Sequence, residues 1–167
     1  DFEKQNEPDS RMGNNSFGGG IAIAPPSSGT NYTAGSDIFV AKFNPAGTAL
    51  AGSTYVGGTG NDGLNSASTL TYNYGDVFRG EIIVDASGNC VVASTSSSVD
   101  FPVTANAPQP VYHGGQSDAV VFRLNTNLNS LLWSTYFGGS NPDAGYSVQT
   151  DSNGDIYVTG GTESLNL

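Results

Sequence analysis

The stretch SDIFVAKFNPAGTALAGSTYVGG (residues 36–58) decides the fold, because the chain writes it again as SDAVVFRLNTNLNSLLWSTYFGG at 117–139. The two align without a gap at an offset of 81, with Asp37 on Asp118, Lys42 on Arg123, Phe43 on Leu124 and Tyr55 on Tyr136. Further on, VDASGNCVVAST (84–95) aligns with TDSNGDIYVTGG (150–161) at an offset of 66. The first copy therefore holds 15 extra residues between 59 and 84, around LNSASTLTYNYGDVFRG. A fixed spacing of this kind marks a repeat architecture, in which each unit buries its apolar face against the next. A fainter copy, GIAIAPPSSGTNYTAG (20–35), reads as the second half of one more unit.

Each copy contains four strand-like runs; in the second they are DAVVFRLN, SLLWSTYFGG, YSVQT and DIYVTGG. The pieces between them carry turn chemistry. NPAG sets Pro45 at the second position of a turn, where its fixed φ helps, and DASGN and DSNGD are Asp/Gly hairpin turns. DIFVAKF is apolar on both alternating faces apart from Lys42, which predicts a strand sandwiched between neighbouring sheets. No segment sustains a 3.6-residue period, so little or no helix is expected. Four antiparallel strands in about 65 residues read as a β-propeller blade, and a propeller closes with about four to eight blades. The fold class expected is all-β: about two and a half blades of a larger propeller. The segments are 1–35 (entry and partial blade), 36–116 (blade with the insertion) and 117–167 (next blade). TESLNL (162–167) aligns with SSSVDF (96–101), so the pattern stops part-way, and the expectation is that other parts of a larger protein complete it.

The 167 residues carry a formal charge of −10, from 15 acids against 5 bases, with 23 glycines. That balance argues against nucleic acid and against an anionic membrane surface, both of which call for clustered Lys and Arg. No apolar run reaches the ~20 residues of a membrane span. No signal peptide is written at the front, and the start DFEKQNEPDS, without Met, suggests a processed or trimmed chain. Cys90 is the single cysteine; within NCVVAS it reads as a small buried hydrophobe rather than a nucleophile.

SDIFVAKFNPAGTAL, STYVGG, VDASGN and STSSSVDFPVT, in that order, resemble the bacterial β-propeller repeat known as the SBBP repeat; the resemblance covers about 35–167. It implies a large secreted or surface protein of a Gram-negative bacterium. Members with an inserted segment like NYGDVFRGEIIVD resemble cargo of the type IX secretion system of gliding bacteria, so the resemblance also implies that secretion machinery as a partner. The C-terminal sorting domain of such cargo is not within these residues.

In a four-stranded antiparallel blade, connections 2→3 and 4→1 leave at one end, and 1→2 and 3→4 at the other. Here the long connections, 59–80 and 97–116, share an end, which is where binding usually resides. The candidate ligand-binding residues are Tyr72, Asn73, Tyr74, Asp76, Phe78 and Arg79 on the insertion, with Tyr112 and His113 on the other connection. Tyr with Asn, Asp and Arg suits a glycan or protein contact. The competing reading packs Tyr72, Tyr74 and Phe78 into a small core of the loop itself. Phe101-Pro102 is expected to plug the joint between blades.

Other candidates are weaker. Asp151, Asn153 and Asp155 mimic the start of a calcium loop but lack its closing Glu, and a hairpin turn explains the same residues. Lys42 and Arg123 either face a central channel or lie between blades. His113 has no second ligand at zinc spacing. Asp37 and Asp118 recur, which suits a structural role. The GG pairs precede loops rather than helices, so they are not phosphate cradles. No cofactor and no catalytic residue is indicated. The expected function is a non-enzymatic adhesion or ligand-binding module, linked through the resemblance to gliding motility. The alternatives are a polysaccharide-acting glycosidase or lyase, using two of Asp62, Asp76, Asp100 and Asp143 as unrepeated acids, and a structural spacer in a surface filament.

Overall fold

The computed structural model describes residues 35–167; the faint copy over 20–34 lies outside the described residues. Eight strands follow in order: β1 (Ile38–Phe43), β2 (Leu50–Val56), β3 (Glu81–Val84), β4 (Cys90–Ser96), β5 (Asp118–Leu124), β6 (Leu131–Phe137), β7 (Asp143–Thr150) and β8 (Ile156–Thr162). The helix among the described residues is two three-residue 3₁₀ turns, at 68–70 and 76–78. The chain is all-β, as its turn-rich composition predicts.

The hairpin turns are built by side chains that replace missing backbone partners. Asp85 Oδ1 accepts the N–H groups of Ser87 (2.8 Å) and Asn89 (3.0 Å), and Asp151 Oδ1 accepts those of Asn153 and Asp155 (2.9 Å each). Asn44 and Asn125 do the same for the 1→2 turns. Gly47 and Leu128, one repeat apart, both take the left-handed backbone, at φ 68° and 57°. That conformation disfavours Leu128, but its side chain is fully buried in the core, which offsets the strain.

The strands form three antiparallel sheets, ordered β1-β2, β3-β4-β5-β6 and β7-β8. The four-stranded sheet takes two strands from each copy. Its central pairing runs unbroken from Cys90↔Leu124 to Ser96↔Asp118, so the boundary expected at 116/117 falls inside one sheet. The repeat in the sequence and the sheet in space are two strands out of phase. Alignment fixes which strands are equivalent, but a repeating series can be cut at any strand, and only the return of the 97–117 connection decides which ones pair.

The three sheets stack face to face. One side of the four-stranded sheet offers Cys90, Val92, Val120, Phe122 and Leu124, which pack with Val40 and Val56 of the β1-β2 pair. The other offers Val91, Ala93 and Val121, which meet Val148 of β7. All of β4 is buried, and β5 nearly so. The sandwiched strand expected from DIFVAKF is realised in its equivalent β5; in β1 Val40 is buried while Phe39 and Phe43 are exposed. Cys90 lies in the first core, and burial raises its thiol pKa. Phe101 is buried against Phe122 and Tyr136, the blade-joint plug anticipated for it. The stretch after it runs along the outer edge of β6: Thr104 N–H donates to Ser134 O (3.2 Å) and Tyr136 N–H to Gln109 O (3.1 Å). Much of the 97–117 connection thus seals a sheet edge.

Candidate functional site

The antiparallel order puts the connections 57–80, 97–117 and 138–142 at one end and the four hairpin turns at the other. The long-loop end is organised by a hydrogen-bonded cage that occurs twice. Asp62 Oδ2 accepts Gly58 N–H (2.8 Å) and Ser98 Oγ–H (2.8 Å); its other oxygen accepts Ser96 Oγ–H. In the next repeat Asp143 Oδ2 accepts Gly139 N–H (2.7 Å) and Ser164 Oγ–H (2.9 Å). Ser36 and Ser117 donate to the carbonyls of Asp62 and Asp143 in turn. The GG pairs now have a physical reason. The second glycine donates its N–H to the cage. The first stands where two carboxylates converge: a Cβ on Gly138 would lie 2.5 Å from Asp118 Oδ1 and 2.8 Å from Asp143 Oδ2. At Gly57 the equivalent neighbours are Asp37 and Asp62.

This corrects the view of Asp62 and Asp143 as unrepeated acids. They are equivalent at the same offset of 81, with the structural role foreseen for Asp37 and Asp118. The visible alignment ended at the GG pair, and TGND and SNPD share only the Asp. Asp62 and Asp100 do approach each other, since both touch Gly58 and Asp100 Oδ1 accepts Thr59 N–H at 2.8 Å. That is inside the ~10 Å span of a glycosidase pair. Asp62, however, is 1% exposed with both oxygens accepting hydrogen bonds, so this pair is cage rather than open acid and base.

The insertion is held from within. Asp76, itself buried, accepts the N–H groups of Tyr72 (3.0 Å) and Asn73 (3.1 Å), the Asn73 amide (3.0 Å) and the Arg79 guanidinium (3.2 Å). Burial opposes its charge, but these donors outweigh it and hold the carboxyl below its usual range. Arg79 lies over the Tyr146 ring at 5.0 Å, and Tyr146 Oη–H donates to Leu70 O at 2.7 Å, tying the loop to β7. Ala67, Leu70 and Ala144 form the loop's small core. The rings expected to supply such a core do not: Tyr72 is 90% exposed, Tyr74 94% and Phe78 75%. Ring type alone does not decide burial; a core built from Ala and Leu left the aromatics outside. Phe78 also lines an apolar groove of about 650 Å³ beside β1, with Ile38, Val40 and Ile82.

Tyr112 and His113 stand apart from that set. Tyr112 packs edge-on against Tyr136 at 5.9 Å and donates to Gly115 O. His113 N–H donates to Asp118 Oδ2 (2.8 Å), and its Nδ1 lies 3.1 Å from Gly138 O. Among the described residues no hydrogen bond, ion pair or ring contact joins them to Tyr72–Arg79, so the eight candidates divide into two groups: Tyr72, Asn73, Tyr74, Phe78 and Arg79 exposed around the buried Asp76, and a separate pair, half-buried Tyr112 and exposed His113.

The Asp151 carboxylate serves its own turn, which accounts for Asp151, Asn153 and Asp155 without a metal. Lys42 Nζ donates to Thr126 O (3.1 Å) in the turn between β5 and β6 of the adjacent sheet, a position between blades. Arg123 differs from that expectation: it pairs with Asp85 within its own sheet. Asp85 stays below its usual range because hydrogen bonds from Asn89, Arg123 and Ser87 overcome burial.

Residues 132–166 match the SBBP family, described as a beta-propeller repeat. The match runs from β6 through β8. With the stacked antiparallel sheets it makes the described chain part of a β-propeller. No curated protein matches the chain.

Proposed function

We propose that this chain is a non-enzymatic binding module that presents the insertion at its long-loop end to a glycan or a protein surface. The observation that carries the reading is the exposure of Tyr72, Tyr74 and Phe78 on a loop whose backbone is fixed by Asp76. Exposed apolar rings cost solvation and are favoured where a partner covers them. A loop fixed in advance loses little entropy on binding. A net charge of −10, with the one cation of the insertion, Arg79, paired to Asp76, suits neutral sugars or protein rather than phosphate polymers.

The same reading sets the module outside the cell, secreted or at the outer surface of a Gram-negative bacterium, in adhesion. Type IX export and a link to gliding rest on the resemblance of NYGDVFRGEIIVD alone. The test is a glycan array and a pull-down from the outer-surface fraction, each run with the wild type and with a Tyr72→Ala/Tyr74→Ala variant. The expected result is capture that the variant loses; blanks in both assays count against the proposal.

A further inference from the structure

Asp118 opens β5 and Asp143 opens β7, and the two carboxylates meet at Gly138, 0% and 2% exposed. Asp118 Oδ2 accepts His113 N–H, and Asp143 Oδ2 accepts Gly139 N–H and Ser164 Oγ–H. Oδ1 of each is buried with no hydrogen-bond partner among the described residues. Two buried like charges without compensation are strongly unfavourable, so something must neutralise one of them. The described cations are engaged elsewhere: Lys42 with Thr126, Arg79 with Asp76 and Arg123 with Asp85. A calcium ion wants six to eight oxygens. No group of three His, Cys, Asp or Glu side chains that could hold a metal stands among the described residues. A proton on one acid removes a charge without further ligands, and Asp118 Oδ1 and Asp143 Oδ2 lie 2.5 Å and 2.8 Å from the Cβ position of Gly138.

We infer that Asp118 and Asp143 form a proton-dependent latch: Asp118 is the neutral acid beside the Asp143 carboxylate at mildly acidic pH, and losing its proton loosens the two loops that the pair ties together. Asp118 anchors the 97–117 connection through the His113 N–H. Asp143 anchors the 138–142 turn through Gly139. A second charge in this dry site is relieved only by admitting water, which separates those anchors and opens the base of the long-loop end.

The other ionisable groups facing the pair are His113 from the 97–117 connection, Tyr112 beside it and Tyr136 from β6. Burial raises both tyrosine phenols, that of Tyr112 to about 12, so neither changes charge between pH 4 and 8. Burial pushes Asp118 up to about 6; the His113 N–H works against this and the Asp143 charge adds to it. A second pair of acids, Asp37 and Asp62, meets at Gly57, where burial lifts Asp62 to about 6 against the hydrogen bonds from Ser96, Gly58 and Ser98.

The test follows the aspartate Cγ resonances and amide exchange of the 167-residue chain by NMR from pH 4 to 8. Asp118 is expected to titrate near 6 and to move lower in Asp143→Asn, while its burial, the larger cause, still holds it above 3.8. Exchange at His113 and Gly139, corrected for intrinsic rate, should rise about tenfold from pH 5 to pH 7. Asp118→Asn, the neutral isostere, should abolish that rise. An Asp118 midpoint at the usual aspartate value overturns the inference. So does a shift of its resonance at pH 7 between ~1 mM calcium and chelator, a range in which extracellular calcium modules bind, because a cation would then occupy the pair. If Asp118→Asn does not fold, the wild-type titration decides alone.

Discussion

Asp62 and Asp143 perform the same task one repeat apart, each accepting the N–H of a following-strand glycine, Gly58 at 2.8 Å and Gly139 at 2.7 Å, and a serine hydroxyl from two strands on. The cage ties the end of one strand pair to the end of the next, so the loops above it rise from a fixed base.

The close approach at the cage makes Gly138 intolerant of a side chain. Gly138→Ala puts a methyl 2.5 Å from Asp118 Oδ1, and denaturant unfolding should show a loss of roughly 2–4 kcal/mol. Gly154 is the contrast. It has φ +90° and open space around it, so Gly154→Ala should cost only about 1 kcal/mol, from backbone strain.

Tyr136 is 1% exposed, donates to Ser98 O at 2.6 Å and accepts Phe101 N–H at 2.9 Å. Tyr136→Phe keeps the ring packing but leaves two buried backbone groups unpaired. The expected loss is about 1–3 kcal/mol, read from the shift in denaturation midpoint at unchanged slope.

Asp76→Asn should separate loop order from overall stability. The carboxylate accepts four hydrogen bonds within the insertion, and the amide cannot accept them all. Amide exchange at Tyr72 and Asn73 should accelerate, ligand binding should weaken, and the thermal midpoint of the sheets should hardly move. Equal exchange in variant and wild type would show that the loop is ordered by something else.

Acid and base should affect the chain in opposite senses. Asp62 and Asp118, lifted to about 6 by burial, bind protons more tightly folded than unfolded. Their contribution is complete below the usual aspartate value of 3.8 and is lost as pH rises to about 6. Hydrogen bonds from Ser147 and Val148 hold Glu81 below its usual range, and Asp76 and Asp85 are held low as well. Those three withdraw stability as pH falls through the acid range. Thermal midpoints should therefore peak near pH 4 and decline toward 7. A curve that rises from 4 to 7 contradicts the burial argument.

Much of the fold was legible in the sequence, because an ungapped offset of 81 identifies β1 with β5 and β2 with β6, and Asp-x-x-Gly marks the β3–β4 and β7–β8 hairpins. The phase of the sheets was not, since equivalence carries no information on which strands pair. The cage was half legible: Asp37 and Asp118 lie inside the aligned block, whereas Asp62 and Asp143 follow it, where spacing persists but residue identity does not. The insertion gave its length and its rings. It did not give their exposure, which depends on Asp76 and on Ala67 and Leu70 supplying the local core.

The central claim is that the exposed insertion binds, and the most direct measurement is capture on a glycan array and by outer-surface proteins, compared between wild type and Tyr72→Ala/Tyr74→Ala. The account predicts capture by the wild type, loss in the variant and the same thermal midpoint for both. Capture that survives the double substitution, or none by either protein, would contradict it.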